Sequence, residues 1–214
     1  MAENTLQAPA VSQEVAGLRT SPVAHLAEQM ASASVSGERG VSLREIPFLA
    51  QVGVRARPGT PSAAALEAAL GTTLPRRSGE VTGPAGRQVL WISPDEFLLV
   101  ADPDSVDVAA AAAALGTGEQ ALPGSVVDLS ANRTTLELSG PSARAVLEKG
   151  CHHDLHPSVF AVGTAVSTQL GPVPILLWKT DETTFRLMPR ASFADYTVHW
   201  LLDALGEFAA PEVP

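Results

Sequence analysis

The sequence holds a single cysteine, Cys151, among its 214 residues. An intrachain disulfide is therefore excluded, and a reducing compartment is the natural reading. Basic residues are scarce: 14 Lys and Arg stand against 23 Asp and Glu, a formal net charge of −9. No run rich in Lys or Arg occurs, so the electrostatic footprint of a nucleic-acid binder is missing, as is that of a polybasic membrane anchor. The segment Met1-Ala2-Glu3-Asn4 has no basic stretch followed by an apolar one, and no secretory signal is read there. The longest apolar stretch, Val106 to Leu115, is Ala-rich, carries Asp107 and is far too short to span a bilayer. These absences lead to the expectation of a soluble, cytoplasmic protein with no nucleic-acid and no membrane partner.

Phosphate-binding and nucleophile signatures are lacking too. There is no G-x-G-x-x-G after a strand, no G-x-x-x-x-G-K-[ST] and no G-x-S-x-G. What is present is a composition of 45% hydrophobic and 17% charged residues, enough for a real core. Gly 17 and Pro 17 fit a loop-rich α+β protein.

Along the chain, residues 1–40 read as an extended N-terminal arm with scattered apolar residues. Within it Ser21 to Met30 suggests a helix, with Ser21 as cap and Pro22 at the first turn. Residues 43–56 alternate as one strand. Thr60-Pro61 opens a helix with Ala63, Leu66 and Leu70 on one face and Gly71 past its end. Residues 75–87 read as a loop. Gln88 to Ile92 and Phe97 to Val100 read as strands around a Ser93-Pro94-Asp95-Glu96 turn. Ser105 or Asp104 is the expected cap of the next helix, which Gly116 ends.

The pattern then restarts. Ser125 to Leu129 and Thr134 to Leu138 are expected strands, and Gly140-Pro141 opens a helix with Ala143, Val146 and Leu147 inward and Gly150 at its close. Three strands follow, Val166 to Leu170, Ile175 to Trp178 and Thr184 to Leu187. Ser192 with Asp195 then opens the clearest helix, which Gly206 is expected to end. The fold class expected is α+β: two split βαβ-type lobes with mixed or antiparallel sheets, residues 41–119 and 120–206, and a loose tail at 207–214. No residue-level repeat accompanies this duplication.

The densest polar cluster is Cys151-His152-His153-Asp154, with His156 close behind. Adjacent histidines point apart on an extended chain and no second ligand pair lies elsewhere, so a solvated loop after a helix is preferred to a zinc site. Cys151 reads as a small buried apolar side chain rather than a nucleophile. The acidic pairs Asp95-Glu96, Asp102/Asp104 and Asp181-Glu182 all fall in expected turns, where such residues are ordinarily solvated. Trp91, Trp178 and Trp200 read as core residues, with an interface role as the competitor. No catalytic, cofactor-binding or metal-ligating residue is assigned.

Several strings together resemble a known family. They are Leu90-Trp91-Ile92-Ser93-Pro94-Asp95-Glu96-Phe97, Val127-Asp128-Leu129-Ser130, Asn132-Arg133-Thr134, Leu138-Ser139-Gly140-Pro141, Lys149-Gly150-Cys151, Asp154-Leu155-His156-Pro157, Leu177-Trp178-Lys179-Thr180 and Arg190-Ala191-Ser192-Phe193-Ala194-Asp195-Tyr196. In order and spacing they are similar to the gamma subunits of heterotetrameric sarcosine oxidases. The resemblance implies a non-catalytic structural subunit in a flavoenzyme that oxidatively demethylates sarcosine to glycine, with hydrogen peroxide and formaldehyde or methylenetetrahydrofolate as products of the whole complex. It implies alpha, beta and delta chains as partners, and FAD, FMN, NAD, zinc and tetrahydrofolate held by those chains, with none in this one. The implied fold is similar to the folate-binding domain of aminomethyltransferases such as the glycine-cleavage T-protein. The alternatives are a stand-alone folate-dependent C1-transfer enzyme and a folate-binding module.

T-proteins of that wider group carry a Gly-Gly-x-x-Asp-Asp segment that supplies a carboxylate beside the folate. The matching stretch here reads Gly171-Pro172-Val173-Pro174-Ile175-Leu176, with apolar residues where the acids would stand. That chemistry is therefore expected to be lost while the scaffold survives. Asp128 matches an Asp-x-Ser element of the same group and is expected to anchor a turn or backbone.

Overall fold

The computed structural model describes residues 18–209. Among these residues ten strands and five α-helices make two five-stranded sheets packed face to face, with helices on the outer face of each. The α+β class follows, and every strand pairing is antiparallel.

The first sheet has the order β3-β4-β5-β2-β6: β2 is Ala50–Arg55, β3 Val81–Thr82, β4 Arg87–Ser93, β5 Glu96–Ala101 and β6 Ser125–Asp128. Strands β2 and β4, joined through α2 (Pro61–Leu70), run parallel with β5 between them. Strands β5 and β6, joined through α3 (Val108–Ala113), run parallel with β2 between them. The lobe is thus two interlocked split βαβ units, as the alternation of strand and helix suggests. Its outer core joins Val52, Val54, Phe97 and Leu99 to Leu66 and Leu70 of α2.

The second sheet has the order β1-β7-β10-β9-β8: β1 is Ser42–Glu45, β7 Leu136–Ser139, β8 Ala165–Leu170, β9 Val173–Asp181 and β10 Thr184–Pro189. The split βαβ expectation holds here too. Strands β7 and β9, joined through α4 (Ala143–Glu148) and the edge strand β8, run parallel with β10 between them, as β2 and β4 flank β5 in the first sheet. Helix α5 (Ala194–Ala209) covers the outer face with Val198, Leu201 and Leu205.

Period-2 alternation sorts each central strand between two apolar layers. On β9, Ile175 and Leu177 face the outer core while Leu176 and Trp178 face the other sheet. On β5, Phe97 and Leu99 face the outer core and Leu98 and Val100 the inner one.

The strand expected over 43–56 is two strands in different sheets. Its alternation breaks at residues 46–49, where Pro47 has no donor to give a ladder and Phe48 takes φ 61°. Likewise β6 pairs with β2, while β1 pairs with β7. The sheets therefore exchange strands across the expected division at residues 119 and 120.

Local corrections follow from side-chain partners. Asp107, not Asp104 or Ser105, caps α3, its Oδ1 accepting from Ala110 N at 2.9 Å. Part of the expected loop at 75–87 forms β3. Residues 18–40 are no extended arm: a 3₁₀ turn, Ala24–Leu26, leads into α1 (Ala27–Ser32), and Val23, Leu26 and Met30 enter the second sheet's core. Ser21 does not cap there; its hydroxyl donates to Glu45 Oε2 at 2.5 Å. In place of a Ser192 cap, α5 is entered through a 3₁₀ turn, Ala191–Phe193. The helix then runs through Gly206 to Ala209 because Phe208 still has core to fill. The readings of residues 1–17 and 210–214 lie outside the described residues.

Candidate functional site

The Cys151–His156 cluster follows α4, where Cys151 forms a bridge to Leu170. Burial is the main influence on the Cys151 thiol and pushes its pKa up, outweighing hydrogen bonds from the His153 backbone and the Thr168 side chain. A thiol held neutral in this way is a poor nucleophile. The histidines disperse as their adjacency suggests. His153 meets Phe160 edge-on, with ring centroids 5.1 Å apart. His156 Nδ1 lies 2.6 Å from Ser158 Oγ, and Asp154 Oδ1 accepts from His156 N at 2.9 Å. Among the described residues no three His, Cys, Asp or Glu side chains are placed to hold a metal ion.

The acidic pairs are spent on local contacts. Ser93 Oγ donates to Asp95 Oδ1 at 3.2 Å and Arg55 lies 3.5 Å from Glu96. Asp104 is 3.8 Å from Arg19, and Glu182 takes Lys179 Nζ at 3.1 Å. Trp178 is buried between the sheets with the Arg186 guanidinium 5.1 Å from its ring. Trp91 and Trp200 pack at the edges of the two outer cores.

The Gly171–Leu176 stretch forms the β8–β9 hairpin. Ile175 is 2% exposed in the outer core and Leu176 is 4% exposed between the sheets. These positions present only hydrocarbon, and apolar side chains cannot hold or polarise a folate amine. The residues present do not fit a folate-activating acid, and no chemical step is derived through that group.

The polar architecture of the chain concentrates instead where it passes between its sheets. Residues 19–22, 45–51 and 128–135 enclose a cleft of about 410 Å³. Asp128 Oδ1 accepts from Ser130 N at 2.9 Å and from Ser130 Oγ at 2.6 Å, and Ser130 Oγ in turn accepts from Gln51 N at 3.1 Å. Asp128 therefore anchors the connector after β6 onto β2. Glu45, at the end of β1, accepts from Ser21 Oγ and Thr134 Oγ1, each at 2.5 Å. Arg133 Nη1 donates to Met188 O at 3.0 Å. Burial first, and the like charge of Arg190 second, pull the Arg133 guanidinium below the ordinary arginine pKa.

Three side chains here were not singled out from the sequence: Gln51, Thr135 and Glu45. Gln51 offered one signal, a polar residue inside an otherwise apolar strand. A second arrangement also went unread. Glu137 on β7 accepts from Arg44 Nε on β1 at 2.9 Å and from Arg186 Nε on β10 at 3.3 Å, both directly opposite it. Its signal was a lone acid between Leu136 and Leu138.

The double-sheet α+β architecture places the chain in a recognisable class. It is similar in fold to the glycine cleavage system aminomethyltransferase T from Bartonella henselae. The TM-score is 0.60 over 86% of this chain and 57% of that one, at 18% identity. At that identity the likeness is one of fold alone.

Residues 55–207 match the model of the sarcosine oxidase, gamma subunit family, and the chain belongs to that family. It is 53% identical to the sarcosine oxidase subunit gamma of Arthrobacter sp. over 214 residues, all of both chains. It is 52% identical to that of Corynebacterium sp. (strain U-96) over 92% of this chain and 94% of the relative. A chain of the heterotetrameric sarcosine oxidase from Corynebacterium sp. U-96, solved in complex with pyrrole 2-carboxylate, superposes with a TM-score of 0.87. That match covers 92% of this chain and all of the other, at 52% identity.

Proposed function

We propose that this chain is the non-catalytic structural subunit of a heterotetrameric flavoenzyme that oxidatively demethylates sarcosine to glycine. Its partners are the alpha, beta and delta chains of the same oxidase. The observation that carries this reading is the near full-length likeness, at 52% identity and a TM-score of 0.87, to a chain of a heterotetrameric sarcosine oxidase.

The chemistry of the chain's own residues supports the non-catalytic part. The hairpin that would present a folate-side acid is packed into two hydrophobic layers by Ile175 and Leu176. The Cys151 thiol is held neutral, and the acidic pairs are engaged at turns. FAD, FMN, NAD, zinc and tetrahydrofolate belong to the other subunits in this reading. The products of the assembly are then hydrogen peroxide and formaldehyde or methylenetetrahydrofolate. A cytoplasmic location suits the single free thiol. Among the described residues no helix is long and apolar enough to cross a membrane.

Co-expression with the three other chains, followed by size exclusion, tests the reading. The chain is expected to co-elute with its partners and to be required for a stable, sarcosine-oxidising complex. Elution of this 22.2 kDa chain alone, while the other three assemble and turn over without it, overturns the proposal.

A further inference from the structure

The cleft at the strand exchange holds polar groups whose bonding is incomplete. Its volume of about 410 Å³ lies within the few-hundred-Å³ range of small-ligand sites. Gln51 is 2% exposed, and its Nε2 donates to Arg133 O at 3.0 Å, which fixes the orientation of the amide. Its Oε1 accepts nothing among the described residues. Thr135 is 1% exposed, and its hydroxyl likewise has no partner among the described residues. Arg133 has no described carboxylate within ion-pair distance. The charge that acts on it is Arg190, of the same sign.

The cleft's own acids do not answer these demands, since Glu45 takes the Ser21 and Thr134 hydroxyls and Asp128 holds Ser130. The remaining walls include the apolar side chains of Ile46, Phe48 and Leu49. Phe48 is held at φ 61°, a conformation an aromatic residue adopts only where its surroundings enforce it. A buried acceptor without a donor, beside a partly buried cation without an anion, is stabilised by whatever supplies both.

We propose that this cleft binds a small carboxylate carrying an adjacent N–H donor. The carboxylate lies on the Arg133 guanidinium, the donor on Gln51 Oε1, and the hydrocarbon part against Ile46 and Leu49. A planar fork of N–H groups is suited to a carboxylate, and a side-chain amide oxygen to the neighbouring N–H. Two sources share this chemistry: a free amino acid, and the last residue of a polypeptide, whose α-carboxylate adjoins its own backbone N–H.

The test uses the full chain with methyl-labelled Ile, Leu and Thr, alone and within the co-expressed assembly. The probes are glycine, N-acetylglycine and acetate, and the readout is the methyl resonances of Ile46, Leu49 and Thr135. Saturable shifts are expected with glycine or N-acetylglycine, with a Kd on the order of 1 mM for so small a ligand. Preference for glycine identifies a free amino acid, and preference for N-acetylglycine a chain terminus. Arg133→Gln and Gln51→Met are each expected to weaken binding about tenfold or more while the Ile175 and Leu177 methyls stay in place. Thr135→Val provides a third, isosteric variant should Gln51→Met fail to fold. Shifts that do not saturate with any probe, saturation unchanged in Arg133→Gln, or acetate bound as tightly as the N–H-bearing probes would overturn the proposal.

Discussion

Glu137 shows how one side chain can stitch three strands. It sits on β7 with Arg44 on β1 and Arg186 on β10 directly opposite, and its side chain is only 10% exposed. The Arg186 guanidinium also lies over Trp178 in the layer between the sheets. Glu137→Gln keeps the shape but removes the charge that both arginines share. We expect it to destabilise the chain by about 1–3 kcal/mol, because a partly buried guanidinium then loses its partner. A lower urea midpoint with an unchanged slope would agree, and an unchanged midpoint would not. Cys151 gives a pH prediction. Its thiol pKa is raised, chiefly by burial, so the neutral thiol's contribution is fully present below the ordinary thiol value. That contribution is lost as pH rises through the folded value. Alkylation at neutral pH should be slower than for a peptide thiol, and stability should fall on the alkaline side. A Cys151→Ser variant should lack the alkaline loss.

Helix packing is decided at a few contacts of backbone against ring. Gly150 ends the turn after α4, and a Cβ there would meet the Trp200 ring at 2.5 Å. The indole belongs to α5 and has a core at its back, so it cannot simply swing away. Gly150→Ala should therefore cost about 1–3 kcal/mol by overpacking. Adding Trp200→Leu should recover part of that loss, and a double-mutant cycle with zero coupling would refute the contact. This join was half legible. Gly150 was readable as a helix stop, and Trp200 as part of an apolar face, but nothing local says that they touch. Helix α2 was read almost completely, because its signals are all local: the Thr60 hydroxyl accepting from Ala63 N, Pro61 in the first turn and Gly71 at φ 63°. The cap of α3 was misplaced by two or three residues because Asp104, Ser105 and Asp107 are equivalent as sequence. Asp104 turns at φ 56° instead, and Ser105 bonds back to Asp102 O.

The exchange of strands makes the molecule one cooperative body. Strand β6 completes the first sheet from the second half of the sequence, and β1 completes the second sheet from the first half. The layer between the sheets joins Leu90, Leu98 and Val100 to Leu176, Trp178 and Met188. Fragments 1–119 and 120–214 should each fail to fold alone, since each lacks a strand and exposes the face that the other covers. Native-like circular dichroism and dispersed amide spectra from either isolated fragment would contradict this. The candidate cleft lies at the crossing itself, which is why its residues were the least legible. Gln51, on β2, and Arg133 and Thr135, in the connection from β6 to β7, meet only once both sheets exist.

Composition, periodicity and the local signals at helix ends determined most of the secondary structure and the α+β class, while the missing acid at the β8–β9 hairpin was legible only through the resemblance to T-proteins. The elements and the class depend on neighbours a few residues away, and the amino acids specify them directly. Sheet membership, the exchange of β1 and β6 between the two halves and the convergence of polar groups in the cleft were decided only by tertiary structure. An alternating apolar strand fits either sheet equally well, and only the packing of two buried faces, with the backbone hydrogen bonds that accompany it, selects the partner.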